Sequence, residues 1–438
     1  MSRLPVTDLG ALMVERGPAW QRKLPPLSEM ESLELLAALG VSMERDQLAR
    51  LAATLEFQPL LLTVYGTEAA RRGIASLEKF DLYHEILKDK QASVSDKITR
   101  FVLRTLPDLT PAEKSLLFAI SLFDAPPTSK QSNMLLGVGS VPHVTDGLVE
   151  KRWRLSRSNT FAARLREAEA GLHVRRLLRV ETLPAPPLGN KSYQMHALVH
   201  GGAREILRNQ YVPSWKEANR LVFKALKRSV RTHYPDRRED LLALYSAGPF
   251  GVRSGRGKAA GWMYATRCLR GFRAYSTSKH GMIYQDIEIL SHFFEGDWQS
   301  VKQGIGLSVS DQTQAVVWAG TLICAVNKYR IGRPLLEVGI QMAKDDLNFV
   351  TAARIARNLS YMCALHGDLE DAARLCSDSV EYASNTPKFI YKIIELLNGI
   401  RVSPQFQPIA SLVTLGYIHH FLGRTAEAQD FFSRGEAV

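Results

Sequence analysis

The 438 residues carry a formal net charge of +12, with 45% hydrophobic and 23% charged side chains; this excludes a disordered chain and, at this length, a single core, so about three domains are expected. The first twenty residues hold Arg3, Asp8, Glu15 and Arg16 without an apolar stretch of signal-peptide length, and no run of eighteen uncharged apolar residues occurs anywhere, which excludes a membrane-spanning helix. Cys268, Cys324, Cys363 and Cys376 stand far apart with no C-x-x-C pair, which excludes a zinc ribbon or disulfide framework and points to a reducing cytoplasm.

The first helix is announced by "LPPLSEMESLELLAALGVS". Ser28 and Glu31 form a capping box, Leu33, Leu36 and Leu39 share one face, and Gly40 is placed to end the helix. "RDQLARLAATLEFQPLLLTVYGTEAARR" reads as two helices broken at Pro59. Residues 27–100 are therefore expected to form a small helical domain. A second capped start follows, with Thr110 as cap, Pro111 at the first helical position and Glu113 closing the box. From there two or three helices, the last carrying "ARLREAEAGLHVRRLLRV", lead into the Pro- and Gly-rich "ETLPAPPLGNKSYQMH". Helices followed by a short hairpin with a loose wing are the pattern of a winged helix, expected over residues 101–207.

"SYQMHALVHG" puts His196 and His200 four apart in a helical stretch, on one face. A zinc-protease helix needs His-Glu-x-x-His and a third ligand, because the glutamate polarises the metal-bound water. Ala197 stands where that glutamate belongs, and no His/Cys/Asp cluster elsewhere offers the third ligand, so no metal site is expected. The plainer reading has one histidine packed and the other solvated.

Lys and Arg outnumber acidic residues nine to two over 151–180 and seventeen to five over 201–280, so residues 151–280 carry +19 and the rest of the chain −7. Such a region attracts nucleic acid or docks on an acidic surface. Few aromatic residues interleave with those cations, which argues against nucleic acid.

Beyond residue 210 almost everything reads as helical, and a repeat emerges. "NLSYMCALHGDLEDAARLC" and "TLGYIHHFLGRTAEAQDFF" align without a gap, matching Leu359 with Leu415, Gly367 with Gly423 and Ala372 with Ala428. A turn glycine and a small residue five positions later let two helices cross closely, as in tetratricopeptide (TPR) repeats. Weaker copies are expected to turn at Gly255, Gly296 and Gly332, with an inserted helical segment before the last copy. "GVRSGRGKAAGW" is not a phosphate loop: five residues, not four, separate Gly251 from Gly257, and Ala259 lacks the hydroxyl that holds magnesium.

A small helical domain, a winged helix ending in Met-His and then TPR repeats is the order found in STAND-type (NB-ARC or NACHT-like) signal-transduction ATPases. The chain resembles the part of such a protein downstream of its nucleotide-binding core, with residues 1–26 a remnant of that core and 208–438 the TPR half. "SRLPVTDL" is similar to the strand whose Thr-Ser-Arg carries the sensor arginine, which makes Arg3 its counterpart. "LEFQPLLLTVYG" resembles the Gly-Leu-Pro-Leu-Ala motif that packs on adenine, with Pro59 matching and the glycine replaced. "QMHALVH" resembles the Met-His-Asp motif, so the resemblance gives His196 the role of holding the ADP phosphate, while Ala197 replaces the aspartate.

The resemblance places the Walker loop, the magnesium-binding acidic strand and most of the parallel sheet before Met1, so a truncated or split product is expected. A mainly α, non-enzymatic regulatory module follows, with no catalytic residues and no cofactor of its own. ADP or ATP enters only with a nucleotide-binding core, and the TPR surface takes a protein ligand. The alternative is a winged-helix transcriptional regulator that reads DNA with the basic stretch 151–179 and senses through its TPR half. A hydrolase is disfavoured, because neither G-x-S-x-G nor H-E-x-x-H occurs.

Overall fold

The computed structural model describes residues 25–87, 92–128, 131, 140–149, 159–182, 191–296, 298, 300–385 and 406–437. Arg3 and nearly all of the expected core remnant lie outside them, as do the wing residues 183–190, residues 151–158 of the basic stretch and residues 386–405, where an inserted helix is expected. The fold is mainly α, with two small antiparallel sheets among the described residues, and divides into two compact units, Met1–Trp215 and Lys216–Val438.

In the first unit, α1 (Glu29–Ala38) starts on the expected capping box: the Ser28 hydroxyl accepts from the Glu31 N–H at 3.3 Å and the Glu31 carboxylate accepts from the Ser28 N–H at 2.7 Å. It ends at Gly40, whose φ of +84° lets the Val41 N–H reach the Leu36 carbonyl at 3.1 Å. Helices α2 (Arg45–Thr54) and α3 (Pro59–Arg71) are separated by Glu56 and Phe57, both left-handed at φ +56° and +54°. Pro59 opens α3, where a missing N–H costs nothing. α1 crosses α3 at Gly66, where a Cβ would lie 2.7 Å from the Leu36 side chain.

Helices α4 (Asp81–Leu87) and α5 (Val94–Thr105) follow. Tyr65 ties α3 to α5, donating to the Lys97 carbonyl at 3.1 Å with its ring 4.8 Å from that of Phe101. α6 (Pro111–Ser121) begins on the expected Thr110–Glu113 box. The buried Glu113 carboxylate lies against Gly171 of α7 (Asn159–Val174), where a Cβ would meet Glu113 Oε1 at 1.8 Å. α7 stops at Val174 instead of running on through "RRLLRV". Arg176 turns left-handed at φ +57°, and Arg179 already belongs to β1 (Arg179–Thr182). The backbone turns there so that Leu177 and Leu178 can be buried. β1 pairs antiparallel with β2 (Lys191–Gln194), Val180 opposite Tyr193, and Thr128 adds an isolated bridge to Ser192. α8 (Ala197–Gln210) then packs on α5, with Gly202 against Thr99.

The division between the units falls within α9 (Val212–Ser229). The second unit continues with α10 (Arg238–Arg253), α11 (Gly257–Met263), a π-helical turn over Tyr264–Leu269, α12 (Tyr275–His280) and α13 (Ile283–Ser291). Gly255, at φ +75°, makes the expected turn between α10 and α11. Gly296 does not turn between two helices. It sits in a hairpin of β3 (Phe294–Glu295) and β4 (Ser300–Val301), whose aromatic and β-branched residues Phe294 and Val301 are buried.

Three helix pairs then stack: α14 (Val309–Ala325) with α15 (Tyr329–Asp345), α16 (Phe349–Leu365) with α17 (Leu369–Ser384), and α18 (Phe406–Phe421) with α19 (Thr425–Ala437). Their turns fall at Asn327, Gly367 and Gly423, all with positive φ. Gly332 is therefore not a turn glycine but the small residue five positions later, equivalent to Ala372 and Ala428. Its absent side chain lets α15 approach α14, since a Cβ there would lie 2.7 Å from the Gly320 carbonyl oxygen. Each of the four helices from α14 to α17 has 16 or 17 residues, and α14 and α16 begin 40 residues apart at Val309 and Phe349, longer than the 34-residue TPR period.

Candidate functional site

Pro59 is exposed at the head of α3, and His196 is the exposed N-cap of α8. Both helices pack on α5, reaching it at Lys97 and Thr99 respectively. The His196 Nδ1 accepts the Leu198 N–H at 3.2 Å, which places the proton of the neutral ring on Nε2. His200, one turn on, binds the Phe123 carbonyl through Nε2 at 2.7 Å and is half-buried. The pair therefore separates into one exposed and one packed histidine. Among the described residues no group of three or more His, Cys, Asp or Glu stands together as metal ligands. A cleft of about 500 Å³ in this unit is lined by Leu103, Leu106, Phe118, Lys114, His143 and Tyr211, and neither Pro59 nor His196 reaches it.

A second candidate surface lies on the first helices of the stacked pairs. On α16, Arg354, Arg357, Tyr361 and Leu365 fall at helical spacing along one stripe. Tyr361 and Leu365 are 56% and 63% exposed. The same two positions on α18 hold Tyr417 and Phe421, 56% and 67% exposed, and α16 and α18 pack directly against each other. Apolar side chains of this size, repeated at matching positions on adjacent helices, form a ladder instead of isolated exposed residues.

The ladder ends on two cations. Arg354 donates to Gln314 of α14 at 3.1 Å and Arg357 to Gln407 of α18 at 3.1 Å. Burial, then the neighbouring Arg357 charge, pushes the Arg354 guanidinium down to about 10. Two partly buried guanidinium groups that repel each other favour an incoming carboxylate. Sequence reasoning matched the two repeats by their glycines and small residues; the coincidence of Tyr361 with Tyr417 in the same gap-free alignment is the signal that could have revealed the ladder.

No family profile matches the chain, and no curated protein matches it. Among solved structures, the chain is similar to a Signal Transduction ATPase with Numerous Domains (STAND) protein with a tetratricopeptide repeat sensor from Pyrococcus horikoshii, at 12% identity and a TM-score of 0.34, over 94% of this chain and 60% of that one. The chain thus spans about 60% of the length of the solved structure it matches. Among the described residues no helix is long and apolar enough to cross a membrane.

Proposed function

We propose that the chain is a non-enzymatic regulatory module, the sensor half of a bacterial STAND-type ATPase, whose repeat helices bind a protein ligand carrying apolar and acidic side chains. The observation that carries this reading is the ladder Tyr361, Leu365, Tyr417 and Phe421 ending on Arg354 and Arg357. Aromatic side chains supply large contact area at low entropic cost, and the arginines supply charge-assisted hydrogen bonds to a carboxylate. Peptides selected by display against the immobilised chain should be rich in apolar and acidic residues. Tyr361→Ala and Tyr417→Ala should each weaken the selected peptide about tenfold or more, while Tyr284→Ala, exposed on α13, should not. Peptides that bind the double variant as tightly as the parent would overturn the assignment.

In this reading residues 101–207 form a winged helix that relays ligand state to a nucleotide-binding core, and Arg3, Pro59 and His196 are residual ADP contacts. The His196 tautomer fits the role, because an Nε2–H on an exposed ring can donate to a phosphate oxygen. Without a phosphate loop the chain lacks the backbone amides and lysine that supply most phosphate affinity. Calorimetry on the chain alone should therefore find no ATP turnover and no micromolar ADP affinity, and a micromolar ADP complex would refute this.

A further inference from the structure

Helix α9 carries Lys216, Arg220, Lys224 and Arg228 at successive four-residue steps, so they stand in a row with about 6 Å between neighbours along the axis. The opposite face of α9 buries Ala218, Val222 and Leu226 in the core of the unit, which fixes the row outward. Glu217 pairs with Arg220. From Lys216 onward the exposed positions of the helix are Lys216, Arg228 and Ser229.

Two residues from outside the helix join this row. Arg256, exposed in the turn before α11, is close enough to act on both Glu217 and Lys224. The Arg220 charge, followed by desolvation and the charges of Arg256 and Arg228, holds the Lys224 amine below its ordinary value, with Glu217 opposing. The positive charges are therefore crowded, and a bound anion would relieve their repulsion. Trp262 of α11 is 55% exposed; the Lys227 ammonium lies 5.8 Å from its ring centre and the His233 ring 6.5 Å away. The fold thus brings an exposed indole to the edge of a row of cations, the combination that single-stranded nucleic acid uses for backbone tracking and base stacking.

We propose that the α9–α11 face binds single-stranded nucleic acid without sequence preference, Lys216, Arg220, Lys224, Arg228 and Arg256 following the phosphates while Trp262 stacks a base. An acidic protein would use the cations but has no need of a half-exposed indole flanked by them. A membrane surface would require a continuous apolar face, and the exposed positions of the row are polar.

The test is fluorescence anisotropy of the full chain with a labelled oligo(dT) of about 16 nucleotides. Five phosphate contacts predict that affinity falls about 130-fold between roughly 50 and 200 mM salt. Trp262→Ala should weaken binding about tenfold while leaving the salt slope unchanged; Lys224→Glu with Arg228→Glu should abolish binding and slope together. These are surface positions, and an unchanged circular dichroism melt checks that each variant folds. Absence of oligo(dT) binding at the lower salt, or binding indifferent to both variants, would overturn the proposal. Tighter retention on poly-glutamate or on phosphatidylserine vesicles than on oligo(dT) would also overturn it, reassigning the face to an acidic protein or to a membrane.

Discussion

Glu68 of α3 is the residue on which the first unit concentrates its charge. Its carboxylate is 2% exposed and accepts from Arg71 at 2.6 and 2.9 Å and from Arg72 at 2.7 Å, with Arg175 at 3.5 Å, while Arg72 also binds Asp108 at 2.6 Å. Burial raises its proton affinity, but the hydrogen bonds and charges of Arg71 and Arg72 outweigh burial and hold it below the ordinary value of 4.5. A carboxyl group depressed in the folded state contributes stability above its unfolded value, and that stability is lost as pH falls through the folded value. Amide protection in α3, measured relative to the intrinsic exchange rate at each pH, should therefore fall on acidification below 4.5. Glu68→Gln should remove that pH dependence and cost about 2 kcal/mol at neutral pH; an unchanged profile in the variant would assign the acid sensitivity to other groups. Asp286 has the opposite sign. Burial raises it despite the hydroxyls of Thr277, Tyr245 and Ser276, so its contribution is present at low pH and lost as pH rises through its folded value.

Elements in the second unit are held by close backbone approach and by a buried cation. A Cβ at Gly332 would meet Cys324 Sγ at 2.4 Å and the Cys324 backbone nitrogen at 2.9 Å, atoms of a packed helix that cannot step aside. Gly332→Ala should thus destabilise the α14–α15 pair by about 1–3 kcal/mol, even though alanine favours helix. Gly261→Ala in α11 is the matched control, because its Cβ would find nothing closer than the Phe293 ring at 3.8 Å. There the gain in helix propensity should stabilise by up to about 1 kcal/mol. Urea unfolding of the two variants should shift in opposite directions, and shifts of the same sign would contradict the packing argument. Arg267, in the π-helical turn, donates to the carbonyls of Lys227, Val230, Thr232 and His233 and so closes the C-terminal end of α9, which positions the row of cations on that helix.

For the whole molecule, the division into two compact units at Trp215 and Lys216 predicts that the two respond separately to destabilising substitutions. Gly332→Ala should raise amide exchange in the stacked helix pairs and leave exchange in α3 and α5 unchanged; Glu68→Gln should do the reverse. Accelerated exchange throughout the chain in either variant would show that the units unfold together. The functional surfaces proposed for the second unit, the aromatic ladder on α16 and α18 and the cation row on α9, belong to different elements, so Tyr417→Ala should not alter oligonucleotide affinity.

Local chemistry determined much of this before any packing. The caps at Ser28 and Thr110, the break at Pro59 and the turns at Gly255, Gly367 and Gly423 are set by groups within a few residues of one another, and the structure places each of them there. Gly332 and Gly296 depart from the turns expected of them because a glycine in a sequence does not state why its side chain is missing. Gly332 is small to let a neighbouring helix in, the turn it was assigned falling to Asn327 at φ +63°, and Gly296 turns a hairpin whose partner strand is fixed by burial of Phe294 and Val301. Phe57 shows the converse: where the resemblance calls for glycine, a phenylalanine adopts the left-handed φ of +54° because the flanking helices dictate the backbone. The positive charge of the middle third was countable from residue types alone, but cations and indole are separated by more than thirty positions between Arg228 and Trp262. Only the packing of α11 beside α9 brings Trp262 to Lys227, because the hydrophobic effect that buries Phe223 and Ala260 also decides which polar faces become neighbours.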